Sequence, residues 1–105
     1  MKRITLVCGA GMSTSLLVTK METAAIKLGV EAKIIAVAEA DLKNHINNTD
    51  ILLLGPQVRF LLNKYKTAYE PKGIIIDVIN SIDYGMMNGE KVLNCALNLL
   101  QKSKE

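Results

Sequence analysis

Cys8 is followed by Gly9-Ala10-Gly11-Met12-Ser13-Thr14-Ser15 and then by Leu16-Leu17, where a helical pattern begins. The paired glycines, Gly9 and Gly11, allow the backbone to curl, through positive φ where needed, so that several N–H groups converge. Small side chains at Ala10, Ser13 and Ser15 keep that concavity open. A helix N-terminus adds unpaired N–H groups and a partial positive charge, and together these form an anion site of phosphate size. Ser13 or Thr14 is placed to cap the helix. A thiol at the mouth of such a nest is biased towards thiolate, the nucleophilic form of sulfur. The same donors would hold the oxygens of a phosphoryl group once sulfur carries it. The expected chemistry is therefore phosphoryl transfer through Cys8, with Gly9, Ala10, Gly11, Met12, Ser13, Thr14 and Ser15 as the cradle.

A strand-end cysteine taken alone is more often a small apolar filler. The flanking glycines, the hydroxyl residues and the strand-to-helix position together tip Cys8 towards function. Met12 is the one large apolar residue of the loop. Exposed, it suits an adaptable protein contact; buried, it pins the loop to the core.

Related phosphate motifs fail on single residues. A Walker A loop needs Lys after its last Gly, and Met12 follows Gly11. A dinucleotide fingerprint needs a third Gly where Thr14 stands. A cysteine phosphatase needs an Arg clamp, and the spacing from Cys8 again lands on Thr14. A phosphatase also needs an acid for its leaving group. That class remains the rival enzyme, and a small anion-binding domain with an inert Cys8 is the non-enzymatic alternative.

Four short apolar runs are expected to be strands: Ile4–Cys8, Lys33–Ala38, Asp50–Leu54 and Gly73–Ile79. Each is continuous rather than alternating, as befits strands covered on both faces. Helical patterns separate them. Leu17, Met21, Ala24 and Leu28 make one stripe, closed by Gly29. Glu39 to Ile46 is a short, weak helix. Val58, Leu61, Leu62 and Tyr65 mark a third, ended by Pro71, and Val92, Ala96, Leu99 and Leu100 mark the last, from Glu90 to about Gln101. The alternation predicts one doubly wound α/β domain over residues 1–105, a parallel sheet with helices on both faces. Ligands then bind beyond the carboxyl ends of the strands, in the loops after Cys8, Leu54 and Ile79.

Those loops supply the remaining candidates. Pro56 suits a helix start, and Gln57 is placed to hydrogen-bond a partner or the phosphoryl group. Tyr84, beside Asp83 in the last connection, is expected to pack or to line a partner surface. Asp77 and Asp83 are the carboxylates with a chance of reaching Cys8 from the last strand and loop. Cys95, mid-helix among apolar neighbours, is expected in the core. His45, the single histidine, has polar neighbours Asn44, Asn47 and Asn48 and is expected at the surface rather than as a catalytic base.

Composition removes other classes. With three Tyr, one Phe and no Trp, there is no stacking platform for single-stranded nucleic acid. A net charge of +3, spread without a dense run, gives no footprint for DNA. The two cysteines form no CxxC or metal-spaced set, so no metal or cofactor is expected, and they favour a reducing cytoplasm over secretion. The apolar run after Met-Lys-Arg is too short for a signal peptide, and no stretch is long enough to insert into a membrane.

The segment Cys8-Gly9-Ala10-Gly11-Met12-Ser13-Thr14-Ser15-Leu16-Leu17 resembles the active-site segment of the B component of sugar phosphotransferase systems, in the lactose/cellobiose/chitobiose class. Leu54-Gly55-Pro56-Gln57, Tyr84-Gly85 and Asn88-Gly89 resemble that family too, and the likeness runs from about Ile4 to Leu100. The resemblance implies a four-stranded parallel sheet of order 2-1-3-4. It implies that Cys8 accepts phosphate from a histidine of the A component and passes it to a sugar held by the membrane C component. Several members carry Asp where Asn80 stands, so no role of that carboxylate carries over.

Overall fold

The computed structural model describes residues 1–8 and 11–103, with residues 11–14 and 103 described through their backbone alone. Branched aliphatic residues dominate β1 (Lys2–Val7), β2 (Ala32–Val37), β3 (Ile51–Leu54) and β4 (Ile75–Val78). The strands form one sheet of order β2-β1-β3-β4, parallel throughout. Ile4 pairs with Ile34 on one side and Ile51 on the other, and Ile51 pairs in turn with Ile75.

Both faces of the sheet are covered, which is why central β3 is buried along its whole length. On one face Ile4, Leu6, Ile51 and Leu53 meet Leu17, Met21 and Ala24 of α1 (Gly11–Leu28) and Val92, Leu93 and Ala96 of α5 (Gly89–Ser103). On the other, Val7, Leu52, Leu54 and Ile76 meet Leu42, Ile46, Val58, Leu61 and Tyr65. The doubly wound architecture and the strand order agree with the expectation.

The two edges each carry a charge. Lys33 is exposed on β2, and half-buried Asp77 on β4 shares the parity of Ile75 and Ile79, which face the core. A charge on an edge strand discourages another strand from adding there.

Several helices differ from their expected form. α1 starts at Gly11 rather than near Leu16, because nothing from Met12 to Ser15 obstructs helical φ and ψ. Gly29, at φ +68°, closes it as expected. The second connection is a chain of short turns, with α2 (Leu42–His45) between 3-10 turns at Glu39–Asp41 and Ile46–Asn48. Only Leu42 and Ile46 are buried there, too little apolar surface to fix a longer helix. The third begins as a 3-10 turn, Pro56–Leu61, kinked at Val58 (φ −116°, ψ 22°), before α3 (Leu62–Tyr69). Pro71 lies within the 3-10 turn that follows, Glu70–Lys72. A short α4 (Ser81–Gly85) was not expected; Asn80 caps it by accepting N–H bonds from Ile82 at 2.9 Å and Asp83 at 3.1 Å on its Oδ1.

Cys95 corrects the sequence reading: it is exposed, not core. The buried stripe of α5 runs through Val92, Leu93, Ala96 and Leu100, and Cys95 lies on its flank. Where α5 begins, a Cβ at Gly89 would lie 2.6 Å from the backbone carbon of Lys20 and from the nitrogen of Met21. Glycine there lets the end of α5 rest directly on the backbone of α1.

The amino ends of β1 and β3 are tied by polar contacts. Arg3 donates to Asp50 through its backbone N–H (2.8 Å), Nε (3.2 Å) and one terminal nitrogen (2.9 Å). Asp50 N–H donates back to the Arg3 carbonyl at 2.9 Å. The Arg3 side-chain bonds hold the Asp50 carboxyl below its ordinary pKa. Beside them, buried Thr49 donates to the His45 carbonyl at 2.9 Å. Its single hydroxyl proton is thereby used, so the 2.7 Å contact has Thr5 donating to Thr49. Half-buried His45 belongs to this structural end of the sheet through its backbone.

Candidate functional site

β1 delivers Cys8 to the carboxyl edge of the sheet. Val7 is its last residue, paired with Leu54 of β3. The ladder continues one step past the strands, with Gly55 N–H donating to the Val7 carbonyl at 2.8 Å. On the other side of β3, Ile79 N–H donates to the Leu54 carbonyl at 2.8 Å. Three strand ends are thus held level, and Cys8 faces Gly55.

Their contact is close. A Cβ at Gly55 would lie 2.8 Å from Cys8 Sγ and 2.9 Å from Gln57 Oε1. The thiol and the Gln57 amide therefore converge on one point above the Gly55 backbone. Cys8 is 6% exposed and packs with the core cluster that contains Leu17, Met21 and Tyr84. Gly55 itself has an extended conformation (φ −62°, ψ 152°), so its small size, not an unusual backbone, is what the site uses.

α1 begins three residues after Cys8, and its first turn carries no acidic residue. The first N–H groups of a helix have no intrahelical acceptor and carry the positive end of the macrodipole. At Gly11, Met12, Ser13 and Thr14 these groups follow Cys8 directly in the chain. The expected cradle residues Gly9 and Ala10 lie outside the described residues, as do the side chains of Met12, Ser13 and Thr14. Ser15 is exposed, and its carbonyl accepts the Thr19 hydroxyl at 3.1 Å.

Next to this point lies an open groove of about 520 Å³ lined by Pro56, Gln57, Arg59, Phe60, Ser81 and Tyr84. The structure brings Gln57 and Tyr84 to the same groove, but differently. Gln57 is exposed, whereas Tyr84 is only 7% exposed and belongs to the core that supports Cys8. Phe60, at 73% exposure, and Ile82, at 68%, add apolar surface at this end of the sheet. Phe60 was missed in the sequence. It falls off the stripe of Val58, Leu61 and Tyr65, which is the signal that would have marked it as exposed.

The carboxylates stand elsewhere. Asp77 and Asp83 line a separate hollow of about 200 Å³ with Asn80, Cys95, Leu53, Val92 and Leu99. One oxygen of Asp77 accepts the Val78 N–H at 2.8 Å. Among the described residues no helix is long and apolar enough to cross a membrane.

A strand-end thiol three residues ahead of a helix N-terminus, with no carboxylate lining the adjoining groove among the described residues, suits phosphoryl binding on sulfur. Comparison with known proteins agrees in outline. The model of the family described as "PTS system, Lactose/Cellobiose specific IIB subunit" matches residues 3–94. The galactose-specific EIIB component of Lactococcus lactis subsp. cremoris is 48% identical over 104 residues, covering 94% of this chain and 96% of that protein. The cellobiose-specific EIIB component of Lactococcus lactis subsp. lactis is also 48% identical, with the same coverage. The oligo-beta-mannoside-specific component of Bacillus subtilis is 42% identical over 95% of this chain and 97% of its own length. The solution structure of a cellobiose-specific phosphotransferase IIB component from Borrelia burgdorferi superposes with a TM-score of 0.79 at 47% identity, covering 97% of this chain and 94% of that one. The lactose-specific IIB domain of Streptococcus pneumoniae, at 20% identity, shares the fold with a TM-score of 0.83 over 92% of this chain and 95% of its own. The chain belongs to the lactose/cellobiose-specific IIB family of the sugar phosphotransferase system, a component of sugar uptake.

Proposed function

We propose that Cys8 is the residue that carries the phosphoryl group, received from a phosphohistidine of the A component and delivered to a sugar held by the membrane C component. The observation that carries this reading is the place of Cys8 Sγ: at the carboxyl end of β1, against Gly55, just ahead of the amino end of α1. In the first step the thiolate attacks phosphorus, the S–P bond forms and the P–N bond breaks, its electron pair staying on the imidazole. In the second a sugar hydroxyl attacks, the O–P bond forms, and sulfur leaves with its pair as thiolate. The hydroxyl proton goes to a base of the acceptor component or to water. The loop from Gly9 to Ser15 holds the phosphoryl oxygens through its N–H groups.

Gln57, Tyr84 and exposed Phe60 line the groove that both partners would approach, and exposed Ile82 adds apolar surface at the same end of the sheet. The relatives named for galactose, cellobiose and oligo-beta-mannoside support a cellobiose-, chitobiose- or lactose-like disaccharide as the sugar. The chain works as one cytoplasmic domain and meets the membrane only through the C component.

A cysteine phosphatase is the nearest rival. Thr14 in place of the Arg clamp, and Asp77 and Asp83 in a different hollow, support the carrier instead. The test is a reconstituted relay with matching A and C components, beside aryl phosphate hydrolysis by the same protein. Sugar phosphorylation lost in Cys8→Ser, with negligible hydrolysis, is expected. Brisk hydrolysis abolished by Cys8→Ser, without relay, would give the case to the phosphatase.

A further inference from the structure

Gln57 is exposed, yet its Oε1 is turned back over Gly55, 2.9 Å from the same point that lies 2.8 Å from Cys8 Sγ. Its backbone is held from both sides. Pro56 before it has a fixed φ, and Val58 after it is buried and kinked out of helical geometry.

We propose that the Gln57 side-chain amide is a positioning group for the phosphoryl on Cys8, donating from Nε2 to one phosphoryl oxygen; this rests on the reading of Cys8 as the phosphocysteine. A primary amide holds an acceptor and a donor at one end of the same side chain. The terminal torsion is broad and roughly two-fold, so the two exchange by rotation. In the resting protein Oε1 is the end of the amide that lies over Gly55 beside the thiol. Towards a phosphoryl group, whose oxygens only accept at neutral pH, the amide turns and Nε2 donates. Being neutral, it adds alignment without the full positive charge with which an Arg clamp would also assist attack by water. Gln57 then gives the carrier a grip on its cargo while leaving hydrolysis slow.

The test uses the intact chain, a phosphorylated A component, and the variants Gln57→Leu and Gln57→Glu, whose folding is checked by circular dichroism. The first removes both polar groups; the second keeps the shape and an acceptor but replaces the donor with negative charge. For phosphorylation of Cys8, kcat is expected to fall about tenfold in Gln57→Leu and about a hundredfold in Gln57→Glu, with KM for the A component within about twofold of wild type. In wild type labelled with nitrogen-15, the Gln57 amide resonances move when Cys8 is phosphorylated. A raised KM with unchanged kcat would make Gln57 a partner contact and overturn the proposal, as would wild-type kinetics in both variants. If wild type itself takes no phosphoryl group on Cys8, the reading of Cys8 fails and this proposal falls with it.

Discussion

The Cys8 thiol occupies space that any side chain at Gly55 would need: a Cβ there would lie 2.8 Å from its sulfur and 3.4 Å from its own Cβ. The two residues end neighbouring strands, joined by the Gly55 N–H bond to the Val7 carbonyl. Glycine just past β3 therefore leaves room for the thiol just past β1 to lie against its backbone.

Gly55→Ala tests that relationship. The backbone conformation accepts alanine, so the cost comes from the new methyl against Cys8 Sγ and Gln57 Oε1. Overpacking of this kind costs about 1–3 kcal/mol, and movement of Cys8 should lower the phosphorylation rate by at least about tenfold. Urea unfolding and single-turnover phosphorylation measure the two effects separately. A wild-type rate would show that the position of Cys8 against Gly55 is incidental.

Gly89→Ala is the structural control. Here a Cβ meets the backbone of Lys20 and Met21 at 2.6 Å, and neither atom can swing aside as a side chain would. α5 must lift from α1, at a cost of about 2–3 kcal/mol, which lowers Tm by roughly 10 °C or more in a chain of this size. The phosphorylation rate per folded molecule should stay within about threefold of wild type, since the contact lies outside the groove lined by Gln57 and Tyr84.

Much of the fold was legible because the apolar runs are long and separated by helical periods. Gly29 announced the end of α1, and the continuous run of β3 announced a strand covered on both faces. What stayed hidden depends on contacts that no local pattern records. α4 is five residues long, too short to show a period, and rests on the Asn80 cap. Cys95 has an apolar neighbour in Ala96, but residues adjacent in a helix point to different faces, and only Ala96 reaches the core. The place of Cys8 at a strand's carboxyl end was legible from the apolar run before it and the glycines after it. The part played by Gly55 was not, since it arises between strand ends far apart in the chain.

Cys95→Ala and His45→Gln should be nearly silent. Exposure of Cys95 removes the packing loss that a core position would impose, so stability should change by no more than about 0.5 kcal/mol. His45 contributes its backbone carbonyl to Thr49, which the substitution retains. Thermal unfolding and relay rate check both. A large loss of rate in folded protein of either variant would mean that Cys8 does not act alone.

Acid should weaken the tie between β1 and β3. Bonding to Arg3 lowers the Asp50 pKa from its ordinary 3.8, so the folded protein binds that proton less readily than the unfolded chain. The resulting stabilisation is complete above the ordinary value and fades as pH falls through the lowered one. Wild type and Asp50→Asn should therefore differ in unfolding free energy at pH 7, and the gap should begin to narrow as pH falls below 3.8 and close as it passes through the lowered value. A gap that is constant with pH would show that the carboxylate's charge contributes nothing.

The most direct measurement is to incubate the protein with the phosphorylated A component and map the modified residue by mass spectrometry under conditions that preserve phosphocysteine. The phosphoryl group is expected on Cys8 alone, with none on Cys8→Ser protein that remains folded. Its appearance on His45, Cys95 or a serine of the loop, with Cys8 unmodified, would contradict the assignment of Cys8 as the carrier.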